Sequence, residues 1–79
     1  MKARVIVKLK DSVLDPQGQA IMQLLEQRGY HGIADVRVGK LIEFELDGLS
    51  AEQGSTMLHE IADKLLANPI IESYRIEPL

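Results

Sequence analysis

The side chains that could do metal or phosphate chemistry are few in this 79-residue chain, and they are scattered. His31 and His59 are the two histidines, and no cluster of further ligands accompanies either of them in the sequence. Gly39-Lys40 is the one pair that resembles a phosphate-binding loop, but a Walker A motif needs another glycine five residues earlier, where Ala34 stands. The pattern therefore predicts surface histidines, no metal site and no nucleotide site.

Nucleophilic catalysis has no clear candidate either. The chain lacks cysteine, which excludes thiolate chemistry and therefore any glutaminase that works through a cysteine nucleophile. Asp11, Ser12 and Asp15 have the chemistry of cation ligands, but Asp15 is already explained as the start of a helix. We expect no catalytic residue, no resident cofactor and no bound metal in this chain.

The composition argues against several classes of protein. Nine basic and twelve acidic residues give a formal net charge of −3, and the aromatic residues are two tyrosines and one phenylalanine. This balance is atypical of a nucleic-acid binder, and the apolar runs are too short for a membrane span, so a cytoplasmic protein is expected. Residues 1–79 are expected to form a single domain. A chain this short buries a small core, which favours self-association or a partner.

Local signals predict two helices. Asp15-Pro16 places an N-cap residue before proline at the first helical position, and Gly29 ends the apolar repeat that follows. Ser50 and Gln53 have the spacing of a capping box, and Asn68-Pro69 closes the second helix. The second helix carries a wide apolar stripe of Met57, Leu58, Ile61, Ala62, Leu65 and Leu66.

Alternation of apolar and polar residues predicts strands before and after the helices. Residues 3–10 alternate, and Ile70 to Glu77 alternate with Glu72 out of phase. The fold class is therefore α+β, in a two-layer β-α-β-α-β arrangement. We expect a small antiparallel sheet with a long central strand and both helices on one face.

The central segment, Asp35 to Leu46, distinguishes two versions of this fold. A hairpin around Gly39-Lys40 would give a split βαββαβ, ferredoxin-like layout, but it would place Val36 opposite Glu43 on one face. In a single strand, bent at Gly39 or straight, one face carries Val36, Val38, Ile42, Phe44 and Leu46, with Lys40 as the exception. The side chains favour the single strand, and the hairpin is the alternative.

A strand of this length would extend past its own sheet. Its unpaired backbone groups invite another chain, and the sheet face away from the helices carries Ile6, Leu41 and Ile71. Both features predict a dimer built through the sheet. Lys40 would then lie at the overhanging part of the strand, either as a snorkelling side chain or as a contact to a partner.

Gly18 is unusual because it lies within the first turn of the first helix, where glycine costs about 1 kcal/mol relative to alanine. Two explanations are open. Another backbone could approach closely at this point, or the glycine could simply be tolerated there.

Three segments together resemble one protein family, the PurS subunit of phosphoribosylformylglycinamidine synthase. They are Val13 to Gly18, Asp35 to Lys40, and Lys64 to Glu72 followed by Tyr74, and their order and spacing span essentially the whole chain. The resemblance implies a small, non-catalytic subunit that joins an ATP-dependent synthetase subunit to a glutaminase subunit. Glutamine-derived ammonia would then convert formylglycinamide ribonucleotide to formylglycinamidine ribonucleotide in purine biosynthesis.

The resemblance also implies partners and contact residues. It implies a homodimer, with a dimer of dimers left open, and it places ATP and Mg²⁺ in the synthetase subunit rather than here. The implied partner-interface residues are Asp15, Pro16, Gln17, Gly18, Arg37, Gly39 and Lys40. The alternative function is a small dimeric regulatory module that binds an amino acid or another small ligand, which predicts the hairpin in the central segment.

Overall fold

The computed structural model describes all residues from 1 to 79 and has the expected α+β order of elements. In chain order the elements are β1 (Lys2–Leu9), α1 (Pro16–Gln27), β2 (Gly39–Glu45), α2 (Ala51–Ile61), a π-helical turn (Ala62–Leu66) and β3 (Glu72–Pro78). Neither helix is long and apolar enough to cross a membrane.

The strands form one antiparallel sheet in the order β2-β1-β3. Val5 in β1, the middle strand of the sheet, lies between Ile42 of β2 and Ile76 of β3. Successive side chains point to opposite faces of a strand, so Ala3, Val5 and Val7 share one face, where all three are buried. The alternation predicted for the first strand is thus confirmed, together with the antiparallel sheet.

Helix α2 covers this buried face. Its start has the predicted capping box, in which Gln53 N donates to Ser50 Oγ (3.1 Å) and Ser50 N donates to Gln53 Oε1 (3.1 Å). Leu58 and Ala62 are fully buried against the sheet. The core of this chain is therefore the contact of β1 with α2 and the residues just after α2.

Leu65 departs from the predicted apolar stripe, since its side chain is 79% exposed. The cause is the π-helical turn, in which Ala67 N donates to Ala62 O (2.9 Å). A wider turn places later residues at a different angle around the helix axis than the 3.6-residue repeat predicts. Leu65 consequently lies outside the core.

The central segment enters the sheet as a single strand, and no hairpin forms at Gly39-Lys40. The regular strand is shorter than predicted, because its pairing with β1 begins at Gly39 opposite Lys8, and Val38 N donates to Asp15 Oδ2 instead of to β1. Residues 36–38 lie beyond that position, half-buried and without a partner strand in this chain. The predicted overhang is thus an unpaired stretch that precedes β2.

Helix α1 is the main departure from the predicted layout, because it does not cover the sheet beside α2. Gly18 is its one buried residue, while Ile21 and Leu24 stay exposed. Helix α1 and the stretch that follows it, here called the arm (residues 16–38), extend the molecule to 50 × 25 × 15 Å. The radius of gyration is 16.0 Å, whereas a compact chain of this length has about 12 Å. The buried core contains no apolar side chain of α1.

Two leucines near each other in sequence, one buried and one exposed, allow the contribution of core packing to stability to be measured. Leu58→Ala should lower the free energy of unfolding by about 3 kcal/mol, because it leaves a cavity in a fully packed site. Leu65→Ala, the matched control, should change it by less than about 0.5 kcal/mol. Urea denaturation at equal protein concentration measures both variants. Equal losses would contradict the placement of the core.

Candidate functional site at one end of the sheet

The carboxylate of Asp15 joins two segments that are 23 residues apart. As the N-cap of α1, its Oδ1 accepts from Gly18 N (2.9 Å), and its Oδ2 accepts from Val38 N (2.7 Å). The residue is only 4% exposed. Asp15 therefore fixes the start of α1 against the chain that enters β2.

These bonds also determine the charge state of Asp15. The backbone N–H of Gly18, followed by that of Val38, lowers the pKa of the carboxyl below its usual value, and burial opposes them only in part. The Arg37 guanidinium and the Gln17 N–H lower the pKa further. Asp15 is therefore held in its ionised, hydrogen-bond-accepting form to lower pH than an ordinary aspartate, which makes it unsuited to act as a proton donor.

Arg37 reinforces the same junction. Its Nη2 donates to Lys10 O (2.7 Å) and to Val13 O (2.9 Å), the carbonyl groups of the loop between β1 and α1. Val13 N in turn donates to Lys10 O (2.9 Å). The guanidinium thus holds the loop and the segment before β2 together, through contacts within this chain.

Gly18 has a structural reason for being glycine. A Cβ at this position would overlap the carbonyl oxygen of Val36, so the arm's returning backbone passes directly over the first turn of α1. Of the two explanations open at the sequence level, the close backbone approach is confirmed. Gly39 is similarly constrained, since a Cβ there would lie 2.7 Å from Val7 O.

A cavity of about 340 Å³ lies where these segments meet the end of the sheet. It is lined by Val7, Lys8, Leu9, Asp15, Pro16, Gln17, Val38, Gly39, Lys40 and Glu72. Five of the seven interface residues expected from the sequence therefore line one cavity. The other two lie next to it, Gly18 bonded to Asp15 and Arg37 preceding Val38 in the sequence. The two charge signs are balanced there, with two lysines and two carboxylates.

The seven residues differ in what they leave available to a partner. Asp15 and Gly18 are buried and Arg37 is half-buried, and their polar groups are used within the chain. Pro16, Gln17, Gly39 and Lys40 are exposed. Lys40 lies inside the ladder, opposite Val7, rather than in the overhang, and its ammonium group is in no ion pair.

The third segment of the resemblance reaches the same end of the sheet. Lys10 N donates to Ile71 O (2.8 Å), and Glu72, opposite Leu9 in the sheet, lines the cavity. Glu72 and Lys8 were missing from the expected site. Glu72 is recognisable in the sequence as the acidic residue out of phase in the last strand, whereas nothing distinguishes Lys8 from other strand lysines.

Neither histidine belongs to this site. The ring of His59 lies 6.0 Å from the ring of Tyr74, whose hydroxyl donates to His59 O (3.4 Å), and His31 is exposed. No three carboxylate or imidazole groups come together to hold a metal ion. What the cavity offers is two lysines outside any ion pair, Lys8 and Lys40, beside a fixed carboxylate, which suits contact with another molecule.

The lowered pKa of Asp15 predicts how stability depends on pH. A carboxyl whose pKa is lower in the folded than in the unfolded state stabilises the fold fully above its unfolded value, near pH 4. That contribution is lost as the pH falls from there through the folded pKa. Asp15→Asn should therefore be less stable than the wild type at neutral pH, and its stability should fall less steeply below about pH 4. Denaturant titrations from pH 7 to pH 2 measure both slopes.

Asp63→Asn is the matched control for this titration, because Asp63 is exposed and accepts no hydrogen bond from the chain. It should follow the wild-type profile. If Asp15→Asn also follows that profile, the bonds to Gly18 and Val38 do not stabilise the ionised form.

Comparison with known proteins identifies the family. The family model described as "PurS: Phosphoribosylformylglycinamidine (FGAM) synthase" matches residues 2–79. A phosphoribosylformylglycinamidine synthase subunit PurS from Synechocystis is 45% identical over 74 residues, covering 94% of this chain and 74% of the relative. The corresponding Bacillus subtilis subunit is 43% identical over 76 residues, covering 96% of this chain and 89% of the relative.

Solved structures agree with the sequence matches. The Bacillus subtilis PurS structure has a TM-score of 0.85 at 43% identity, covering 96% of this chain and 94% of that one. A chain from the PurLQS structure of Thermotoga maritima has a TM-score of 0.89 at 27% identity, covering 99% of this chain and 95% of that one. The chain belongs to the PurS family, the small subunits of phosphoribosylformylglycinamidine synthase.

Proposed function

We propose that this chain is the non-catalytic subunit that holds the glutaminase and synthetase subunits of its synthase together. The observation that carries the proposal is the full-length match to PurS subunits, one of which was solved within a PurLQS assembly. The geometry supports it. The chain's one buried carboxylate is bonded to backbone groups, and the lack of cysteine leaves a cysteine glutaminase to another subunit.

The reaction of such an assembly is ligation of ammonia to an activated amide. Glutamine, ATP, water and formylglycinamide ribonucleotide give glutamate, ADP, phosphate and formylglycinamidine ribonucleotide. A relative from Methanocaldococcus jannaschii is described as one of the subunits of formylglycinamide ribonucleotide amidotransferase in the purine biosynthetic pathway. In the proposal, ATP and Mg²⁺ bind the synthetase subunit, and the cytoplasm is the compartment of the assembly. This chain holds the other subunits in position and supplies no catalytic group.

A second copy of this chain is the first partner in the proposal. The arm exposes apolar side chains on α1, and residues 36–38 have no partner strand. β2 is an edge strand of the sheet, and such an edge is completed most simply by a strand of another chain, so a homodimer would complete both copies at once. A dimer also accounts for the extended shape, because the arm of each copy would be covered by the other.

The regulatory alternative loses its main structural support. It predicted a hairpin in the central segment, whereas the chain enters β2 as one strand. The arm leaves Ile21, Leu24 and Tyr30 exposed, which suits another protein chain better than a small polar ligand.

Reconstitution with the cognate synthetase and glutaminase tests the proposed function. Leaving out this chain should lower the glutamine-dependent rate at least tenfold, while the synthetase alone should still use ammonium chloride. Lys40→Glu combined with Gln17→Trp should also lower the glutamine-dependent rate, since both side chains are exposed beside the cavity.

Lys2→Glu is the matched control, because Lys2 is an exposed strand lysine at the opposite end of β1. It should leave the rate within twofold of the wild type. Full glutamine-dependent activity of the cavity variant, with the oligomeric mass unchanged by light scattering, would show that the cavity is not a contact. Full activity without this chain would overturn the proposed function.

A further inference from the structure

The β3 edge of the sheet leaves few backbone groups free for another strand. Leu79 N donates to Lys2 O, directly opposite, so the odd-numbered residues of β3 bond to β1 and the even-numbered residues face outward. Among the outward residues, Glu72 already donates its N–H to the turn before the strand, and Pro78 has no N–H. The remaining outward donors are those of Tyr74 and Ile76. This edge is poorly suited to extend the sheet.

The β2 edge is open by the same criterion. Leu46 N donates to Met1 O (2.7 Å) and Met1 N donates to Leu46 O (2.6 Å), so the even-numbered residues of this strand bond to β1. The odd-numbered residues therefore face outward along the whole of β2, and none of them is a proline. They are Gly39, Leu41, Glu43 and Glu45. This edge accepts another strand over its full length.

A second copy can pair with this edge in a limited number of registers. Two identical antiparallel strands are related by a two-fold axis, and outward residues bond to each other only if odd-numbered residues lie opposite odd-numbered ones. The axis must then pass beside one residue of β2. That residue determines which side chain every other residue faces, because a change of register moves all the opposite pairs together.

Most positions of the axis bring like charges together. Axes at Lys40, Glu43 and Glu45 place two identical charged side chains directly opposite each other. Axes at Gly39 and Phe44 place Glu43 opposite another carboxylate. Like charges directly opposite destabilise a strand pair, so these five registers are disfavoured. An axis at Ile42 avoids this conflict, but it faces Leu41 with Glu43 on both sides of the axis.

An axis at Leu41 gives complementary pairs along the whole strand. The two copies of Leu41, each 50% exposed in the single chain, lie opposite each other on the open face of the sheet. The unpaired residues 36–38 gain a partner strand, and the Lys40 stem lies along Ile42 of the other copy. The remaining opposite pairs are Val36 with Leu46, Arg37 with Glu45, Val38 with Phe44, and Gly39 with Glu43.

We propose that two copies of this chain join their β2 edges antiparallel about a two-fold axis at Leu41. Three strands from each copy then form one continuous six-stranded sheet. Glu43 of the second copy lies opposite Gly39, which lines the cavity, so both chains contribute to the surface at each cavity. This inference deepens the homodimer of the proposed function and rests on it.

Single cysteine substitutions test the register, because the chain has no cysteine of its own. Opposite residues that bond to each other in an antiparallel pair have Cα atoms about 5.5 Å apart, which is within the span of a disulfide. Leu41→Cys should therefore form a disulfide-linked dimer on mild oxidation, measured on a non-reducing gel. Before oxidation its mass by light scattering should equal that of the wild type, since Leu41 is outside the core.

Glu43→Cys is the matched control, because Glu43 is also an exposed outward residue of β2. Its two copies would be displaced by four residues, about 14 Å along the strands, so its disulfide should form at least tenfold more slowly. Cross-linking of Glu43→Cys or Lys40→Cys as fast as that of Leu41→Cys would overturn the proposed register. Failure of Leu41→Cys to cross-link while the protein stays dimeric would also overturn it.

Light scattering and activity separate the possible failures. Wild-type protein that is monomeric at micromolar concentration would overturn both the register and the homodimer. A dimer with another register that supports full glutamine-dependent activity in the reconstituted synthase would overturn this inference alone and leave the proposed function standing.

Discussion

The position of the arm depends on one carboxylate. Asp15 accepts the N–H of Gly18 at the start of α1 and the N–H of Val38 before β2, and these segments have no strand ladder to align them. Arg37 adds bonds to the preceding loop, and Gly18 allows the backbone of Val36 to pass over the helix. Without this junction, nothing in the chain would orient α1 relative to the sheet.

A rigid junction matters because the chain has so little core. The buried apolar side chains come from β1, α2 and the residues just after α2, so the arm receives almost no stabilisation from packing. Small domains without disulfides or metals are typically completed by association. In this molecule the completion would take place on two surfaces. Another copy would cover the arm, and the end of the sheet would meet the other subunits.

Local features of the fold could be predicted from the sequence because each depends on a few neighbouring residues. The N-cap at Asp15, the capping box at Ser50 and the alternation of β1 are of this kind. The bonds from Asp15 to Val38 and from Arg37 to Lys10 could not be predicted, because hydrogen bonds to distant backbone leave no periodic pattern. Such long-range bonds decide where the arm lies.

The residues that break a pattern were informative about the site. Gly18 in a helix, Lys40 on an apolar face and Glu72 out of phase in a strand all lie at the same end of the sheet. At Gly18 and Glu72 the local preference is overridden by a contact, with Val36 O and with Asn68 N respectively, whereas the Lys40 side chain is exposed beside the cavity. The exposure of Leu65 had no such signal, because it comes from a π-helical turn that sequence periodicity does not reveal.

Amide hydrogen exchange of this subunit, free and within the assembled synthase, tests most directly whether the end of the sheet that carries the cavity is the assembly surface. Exchange should slow at residues 15–18 and 38–40 on assembly with the other subunits, beyond any change due to dimer formation. Amides near Lys2 and Leu79 should keep their rates. Slowing confined to the Lys2 end, with no change around Asp15 and Gly39, would contradict this account.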